Sequence, residues 1–343
     1  MYKLENVDRL EFKPPVSLGL LLTYKCNISC RYCIYNCSPK WKSDWLGIEN
    51  ADMIFKRLDY IFKEIYINRP DGISFGHGLH FTGGEPFLNF ELLLKLSSLA
   101  NKYEIPYPFV ETNCFWAIDD SITLEKLDLL KKAGLKGIMI SVNPFNIEKI
   151  PFERIERTAE LGHEVFGKNT FVYQRFFLEL FKRLKIKGTM KFEDLIKRVS
   201  LESLIDYIEL LPMGRTPYKL GKHFEKKPAE YYFGQNCVSE FTRNWHTHID
   251  NYLNYIPGFC AGISLGKADE LLLSDHIDLA GLPIIRYLSE DIKRLFDFSR
   301  DYGFKENKNG YISKCHLCYE IRKHLLKNGS FKELVPVEYY ERT

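Results

Sequence analysis

Residues 16–37 read VSLGLLLTYKCNISCRYCIYNC, and this stretch decides how the rest of the chain is interpreted. A short apolar run ends in a loop that carries Cys26, Cys30 and Cys33 with the spacing C-x3-C-x2-C. Three thiolates this close can hold three irons of a [4Fe–4S] cube, because cysteine sulfur binds such clusters. The fourth iron would then stay open to a small molecule. On spacing alone, zinc with Cys37 as its fourth ligand, or simply buried thiols, remain alternatives.

Composition excludes several classes of protein. The chain has 343 residues, of which 45% are hydrophobic and 27% charged, as in globular proteins. No apolar run approaches the ~20 residues that span a bilayer, and the N-terminus lacks a signal-peptide core. We therefore expect a cytoplasmic protein without a membrane partner. The net charge is +3 and basic residues are not clustered, so we expect no DNA partner.

The nine cysteines fall into two groups. The front cysteines are Cys26, Cys30 and Cys33, with Cys37 close behind. The back cysteines are Cys237, Cys260, Cys315 and Cys318, and Cys114 stands alone between the groups. In a cytoplasmic protein, such groups indicate metal binding or catalysis rather than disulfides.

Short apolar segments alternate with amphipathic segments through the first two thirds of the chain. Strands are predicted at residues 16–23, 78–82, 108–112, 137–142, 170–173 and 207–211. Helices are predicted at residues 51–68, 90–103, 121–133, 152–165 and 192–204. Such alternation predicts an α/β fold, a partial (β/α)6 TIM-like barrel whose functional residues lie at the C-terminal ends of the strands.

The alternation stops near residue 215. We therefore predict a barrel domain at residues 1–215, beginning with an arm at 1–15, and a C-terminal cysteine-containing domain at 216–343. In the second domain a helix is predicted at 290–302. A further helix opens at the C-x2-C of Cys315 and Cys318 and is capped by Gly329.

The front loop, with Tyr32 just before its third cysteine, resembles the signature of the radical S-adenosylmethionine (SAM) superfamily. The resemblance implies a [4Fe–4S] cluster on Cys26, Cys30 and Cys33 whose open iron chelates SAM. One electron then cleaves SAM to a 5′-deoxyadenosyl radical. The turn Gly83-Gly84-Glu85-Pro86 resembles the family's GGEP motif, which implies that Gly83, Gly84 and Glu85 hold the methionine end of SAM.

Further SAM contacts follow from the same resemblance. Thr112 and Asn113 match the family's "TNG" strand end, with Cys114 in place of the glycine. Ser141 and Asn143 match a strand end written "SxD" in relatives, with Asn in place of Asp. Arg175 could pair with the SAM carboxylate, and a solvated surface arginine is the alternative.

The back cysteines carry a second resemblance. Residues 245–262, WHTHIDNYLNYIPGFCAG, resemble the hairpin of SPASM and twitch domains, in which a P-x-x-C-x-G segment supplies a cluster ligand. This implies an auxiliary [4Fe–4S] cluster on Cys237, Cys260, Cys315 and Cys318. A four-cysteine zinc site is the alternative that the same spacing permits.

Together these motifs predict a radical SAM enzyme that abstracts hydrogen from a substrate after reduction by flavodoxin or ferredoxin. A peptide or protein substrate is expected first, because relatives with such extensions most often modify peptides. A small molecule, such as a sugar, an amino-acid derivative or a cofactor precursor, is the second candidate. A non-catalytic iron–sulfur electron carrier is the alternative of another class. No catalytic side chain is assigned from the sequence.

Overall fold

The computed structural model describes residues 8–66, 71–205, 207–208 and 210–343. Within these residues the chain forms two compact units. The barrel unit comprises residues 16–30 and 37–210, and the C-terminal unit comprises residues 8–15, 31–36 and 211–343. The predicted boundary at 215/216 differs from this division, because the segments 8–15 and 31–36 group with the C-terminal part.

The strands lie, in chain order, at Arg9–Glu11 (β1), Ser17–Leu21 (β2), Gly78–Thr82 (β3), Phe109–Thr112 (β4), Gly137–Ser141 (β5), Thr170–Tyr173 (β6), Thr247–Ile249 (β7), Tyr255–Ile256 (β8) and His276–Asp278 (β9). The α-helices lie at Ile48–Tyr60 (α1), Phe90–Lys102 (α2), Asp120–Lys132 (α3), Phe152–Phe166 (α4), Arg175–Arg183 (α5), Phe192–Leu195 (α6), Leu201–Ile205 (α7), Thr216–Lys219 (α8), Val238–Phe241 (α9), Ala268–Leu271 (α10), Pro283–Glu290 (α11), Ile292–Asp301 (α12) and Lys314–Asn328 (α13). None of these helices combines the length and the apolar character that a membrane crossing requires.

The barrel unit is built on five parallel strands in the order β6-β5-β4-β3-β2. Strands β2 and β3 are buried along their whole length, as expected for parallel strands covered on both faces. Helices α1 to α4 connect successive strands. The predicted α/β fold, a partial TIM-like barrel, is confirmed, and the strands predicted at 78–82 and 170–173 match β3 and β6 residue for residue.

Alternation along β3 separates the two faces of this sheet. Phe81 points to Phe55 of α1, with ring centroids 6.3 Å apart. His80, one residue earlier, stacks on Phe109 of β4 on the opposite face, with centroids 5.2 Å apart. Helices therefore cover one face, while the other face carries the polar side chains described below.

The sixth predicted strand, at 207–211, is wrong. The described residues of this segment, 207, 208, 210 and 211, form turns or irregular backbone. Ile208 still donates its N–H to the carbonyl of Leu204, at 3.0 Å, as in a continuing helical turn. Leu210 then bonds back to Ile208 at 2.7 Å. These local bonds curl the segment, in which Ile208 is buried, Leu210 and Leu211 are half-buried and Tyr207 is 53% exposed.

Two helix predictions also change. The helix predicted at 51–68 is α1 followed by a π-helical turn, Ile61–Ile65, and residues 67–68 lie outside the described residues. The helix predicted at 192–204 is two short helices, α6 and α7.

In the C-terminal unit, part of the predicted N-terminal arm is a strand, because β1 pairs antiparallel with β9. The helix predicted at 290–302 is α12, which starts after Asp291, a residue with an extended backbone that accepts the N–H of Lys293 with its side chain. Asp291 is therefore an N-cap that starts α12 anew after α11. Strands β7 and β8 form an antiparallel hairpin. The predicted helix at Cys315 is α13, which begins after the N-cap Ser313.

Candidate functional site

The front loop leaves the end of β2 and closes on itself. Lys25 pairs with Ser38 in a β-bridge, and the N–H of Cys26 donates to the Ser38 carbonyl at 3.3 Å. Tyr24 stacks on Trp41, with ring centroids 4.4 Å apart. These contacts anchor both ends of a loop that contains the front cysteines.

The GGEP turn lies directly against this loop. The N–H of Gly84 donates to the Thr23 carbonyl at 2.8 Å, and the N–H of Glu85 donates to the Lys25 carbonyl at 3.0 Å. A Cβ atom at Gly84 would lie 1.7 Å from the Lys25 carbonyl oxygen. Glycine is required here because any side chain would push the turn away from the first cysteine. Gly83 adds a positive φ of 117°.

Glu85 ties the ends of β3 and β4 together. Its carboxylate accepts the hydroxyl of Thr112 at 2.9 Å, the N–H of Asn113 at 2.8 Å and the N–H of Phe87 at 3.3 Å. Burial raises the pKa of Glu85 to about 7, although these hydrogen bonds act in the opposite direction. The predicted contact of this carboxylate with SAM therefore has to be shared with three donors of the protein.

Asn113 and Asn146 aim side-chain amides at sulfur atoms of the front cysteines. Nδ2 of Asn113 lies 3.7 Å from Sγ of Cys26 and donates to Oδ1 of Asn27 at 2.8 Å. Nδ2 of Asn146 lies 3.9 Å from Sγ of Cys30. N–H donors at cluster sulfurs raise a cluster's reduction potential. Asn146 was not predicted, because its only signal in the sequence is its position shortly after β5.

Cys114 occupies the position at which the family has a glycine, and its backbone and burial show how a cysteine fits there. Its φ is 67°, in the left-handed region that favours glycine, and its side chain is fully buried. Burial raises the pKa of this thiol well above its usual range. The position therefore keeps the glycine-like backbone while its side chain packs as an apolar group.

The remaining predicted SAM contacts are placed as follows. Ser141 ends β5, half-buried and in register with Tyr173 of β6. Asn143 is fully buried, and its Oδ1 accepts the N–H groups of Phe145 and Asn146. Arg175 begins α5 with a side chain that is 79% exposed and pairs with Glu179 at 3.5 Å. Asn143 and Arg175 thus have partners within the protein itself.

A second carboxylate, which is half-buried, lies on the face of the sheet opposite the helices. Glu111 of β4 accepts the hydroxyl of Thr82 at 2.6 Å and lies 3.3 Å from Nε2 of His80. Burial raises the pKa of Glu111 to about 7. No role was predicted for Glu111, although it lies one residue before Thr112 at the same strand end.

Cys33 belongs to the C-terminal unit, as does Tyr32 just before it. Its carbonyl accepts the N–H of Arg215 at 3.1 Å. Gly214 has a φ of 58°, and a Cβ atom there would lie 2.4 Å from the same carbonyl oxygen. Gly214 and Arg215, which follow the segment wrongly predicted as a sixth strand, therefore contact the backbone of the third front cysteine.

All four back cysteines line one cavity of the C-terminal unit, together with Lys314, Arg322 and Met213. Cys237 precedes α9, and Cys260 follows the β7–β8 hairpin. The other two, Cys315 and Cys318, lie in the first turns of α13. Burial raises the pKa of Cys237 to about 12 and that of Cys315 to about 11, and the neighbouring cysteines act in the same direction. Thiolates at this place therefore need a bound metal or nearby cations.

A parallel α/β sheet with a three-cysteine loop and a GGEP turn at its strand ends defines a cluster-binding barrel. The family model of the Radical SAM superfamily matches residues 20–211, more than half of the chain. The chain belongs to this superfamily and is an enzyme, and membership implies a [4Fe–4S] cluster and SAM.

The chain is also similar to individual proteins and solved structures. The GTP 3′,8-cyclase of Aquifex aeolicus is 26% identical over 259 residues, 66% of this chain and 73% of that protein. The molybdenum cofactor biosynthesis protein moc-5 of Caenorhabditis elegans is 21% identical over 234 residues, 63% of this chain and 35% of that protein. Among solved structures, native anSMEcpe with bound AdoMet is 16% identical, with a TM-score of 0.44 over 91% of this chain and 97% of that one.

Proposed function

We propose that Cys26, Cys30 and Cys33 hold a [4Fe–4S] cluster that binds SAM and cleaves it reductively, and that the resulting radical abstracts hydrogen from a substrate. When bound, the cluster and SAM supply the electron and the 5′-deoxyadenosyl radical. The observation that carries the proposal is the bonding of the GGEP turn to Thr23 and Lys25. It holds the predicted methionine-binding turn against the first cysteine.

For the SAM contacts, the backbone of Gly83 and Gly84 is the best supported part. Thr112 and Asn113 follow, because they lie at the end of β4, the strand next to β3, and Ser141 comes after them, at the end of β5. Tyr32, Asn143 and Arg175 stay in the proposal on the family resemblance alone. A flavodoxin or ferredoxin is proposed as the reductant.

The back cysteines are proposed to hold an auxiliary [4Fe–4S] cluster. Their common cavity supports a metal group, and the two cations lining it fit a group with negative charge. A zinc site would use the same four thiolates. Metal analysis separates the two, because two clusters give about eight irons per chain, whereas one cluster and one zinc give about four.

The substrate is proposed at the level of class. The sequence favoured a peptide or protein, whereas the Aquifex relative, of which 73% is covered, is named for a nucleotide substrate. That name favours a small molecule for this chain. Incubation with candidate nucleotides and with candidate peptides, each followed by mass spectrometry of the product, decides between them.

The test of the radical activity needs no substrate. Anaerobically reconstituted protein is incubated with dithionite and SAM, and 5′-deoxyadenosine is measured. We expect release from the parent and none from Cys30→Ala. Cys37→Ala is the matched control, since it removes a thiol of the same segment that lies outside the C-x3-C-x2-C motif. Failure of the parent to release 5′-deoxyadenosine would favour the electron-carrier alternative.

A further inference from the structure

Arg322 of α13 is a buried cation at the cavity of the back cysteines. Its side chain is 5% exposed and lines the cavity. Nη1 donates to the Ala261 carbonyl at 3.1 Å and to the hydroxyl of Tyr340 at 2.8 Å. Among the described residues, no acceptor lies within hydrogen-bond reach of its buried Nε. A buried charged group is costly to leave without a counter-charge, and this one lines the cavity, so the cavity fits an anionic group.

Lys314 supplies a second cation at the start of the same helix. Its side chain lines the cavity, and Nζ donates to the Asn236 carbonyl, one residue before Cys237, at 2.6 Å. The N-terminus of α13 adds its own partial positive charge. Glu240 is a carboxylate near the cavity on another element, and it is paired with Arg243 at 3.2 Å. The charge that faces the cysteines is therefore positive.

We propose that Arg322 and Lys314 are positioning residues that raise the reduction potential of the auxiliary cluster by stabilising its reduced state. A cube bound by four thiolates carries net negative charge, and reduction adds one electron and no proton. Fixed cations in a buried site favour that added charge more than solvent-exposed cations do. This inference rests on the proposed auxiliary cluster, and it assigns these residues a role that the cysteines alone do not provide.

The experiment isolates the auxiliary cluster. Full-length protein carrying Cys26→Ala, Cys30→Ala and Cys33→Ala is reconstituted anaerobically and titrated with dithionite, and the EPR signal gives the midpoint potential. We expect a lower potential in Arg322→Met and in Lys314→Met, and the lowest in the double variant. Arg322→Lys keeps the charge and is expected to restore most of the potential.

Lys327→Met is the matched control, because it removes one positive charge from the exposed last turn of the same helix. About four irons per chain would show that a variant still holds the auxiliary cluster. In such variants, a midpoint potential equal to the parent's for both Arg322→Met and Lys314→Met would overturn the inference. Should Arg322→Met fail to fold, Lys314→Met gives the answer alone. Zinc in place of iron would overturn the auxiliary cluster itself, and the inference with it.

Discussion

The two cysteine groups sit in opposite electrostatic surroundings. In the barrel unit, neutral amides lie near the sulfurs of Cys26 and Cys30, and Glu85 bonds to the same loop. Burial raises the pKa of Glu85 to about 7. In the C-terminal unit, the back cysteines share their cavity with two cations. The first set suits a ligand that brings positive charge, as the sulfonium and amino group of SAM do. The second suits a group that is already coordinated by the protein and negatively charged.

The largest expected effect is that loss of the auxiliary cluster lowers the iron content without stopping SAM cleavage. Cys318→Ser should lower iron from about eight to about four per chain, because one of two clusters is lost. Release of 5′-deoxyadenosine without substrate should persist, whereas Cys30→Ala abolishes it. Iron analysis and chromatography of the same samples check this. Loss of 5′-deoxyadenosine in both variants would contradict the division of roles.

Gly84→Ala tests the close approach at the front loop. The added Cβ would lie 1.7 Å from the Lys25 carbonyl oxygen, so the turn must move. A displacement of about 1 Å near a reaction centre costs about a hundredfold in rate, and we expect a loss of that order in 5′-deoxyadenosine formation. The control is Gly221→Ala, where a Cβ meets no atom within 4 Å. Equal rates of 5′-deoxyadenosine formation in the two variants would contradict the requirement for glycine at position 84.

Glu111→Gln tests the raised pKa of this carboxyl group. The pKa of Glu111 is raised from 4.5 to about 7, so the folded state binds more protons than the unfolded state between these values. Stability is therefore highest at low pH and falls as pH rises to about 7, by up to about 3 kcal/mol for this group. The glutamine variant should lose less stability between about pH 5 and about pH 8 than the parent.

Denaturant unfolding at both pH values measures this difference. Glu85 contributes in the same direction, so part of the slope should survive in the Glu111→Gln variant. The exposed Glu125 of α3 gives the control substitution, Glu125→Gln. A slope in Glu111→Gln as steep as in the parent would show that burial does not govern this group.

The smallest effect concerns the potential of the front cluster. Asn146→Ala removes an N–H donor 3.9 Å from the sulfur of Cys30, so the potential should fall slightly. EPR-monitored titration of protein carrying Cys318→Ser isolates this cluster. Asn309→Ala, in an exposed loop, is the control. A shift larger than that of Arg322→Met at the back would contradict the view that buried charge outweighs a long amide contact.

Much of the barrel unit could be predicted from residue patterns. Short apolar runs bounded by turns predicted β3 and β6 to the residue. Strand β3 is buried along its length, as a strand covered on both faces should be, whereas β6 is only partly buried. The same logic failed at 207–211. There the backbone bonds locally in turns, and the apolar pattern of the sequence does not distinguish such turns from a strand. The helix predicted at 290–302 was located correctly, and Asp291 is the N-cap at which it starts.

The sequence by itself determined the family resemblance and the candidate ligands. The three thiols of the C-x3-C-x2-C loop lie within eight residues and so are visible in the sequence, whereas the spacing of the back cysteines permits a cluster or zinc. Only the tertiary structure decided which groups surround those ligands. It brought Asn146 to Cys30 and placed Arg322 in the cavity with four cysteines, two of them more than 60 residues away in the chain. Charge and burial depend on contacts between distant segments, and these contacts exist only once the chain is folded.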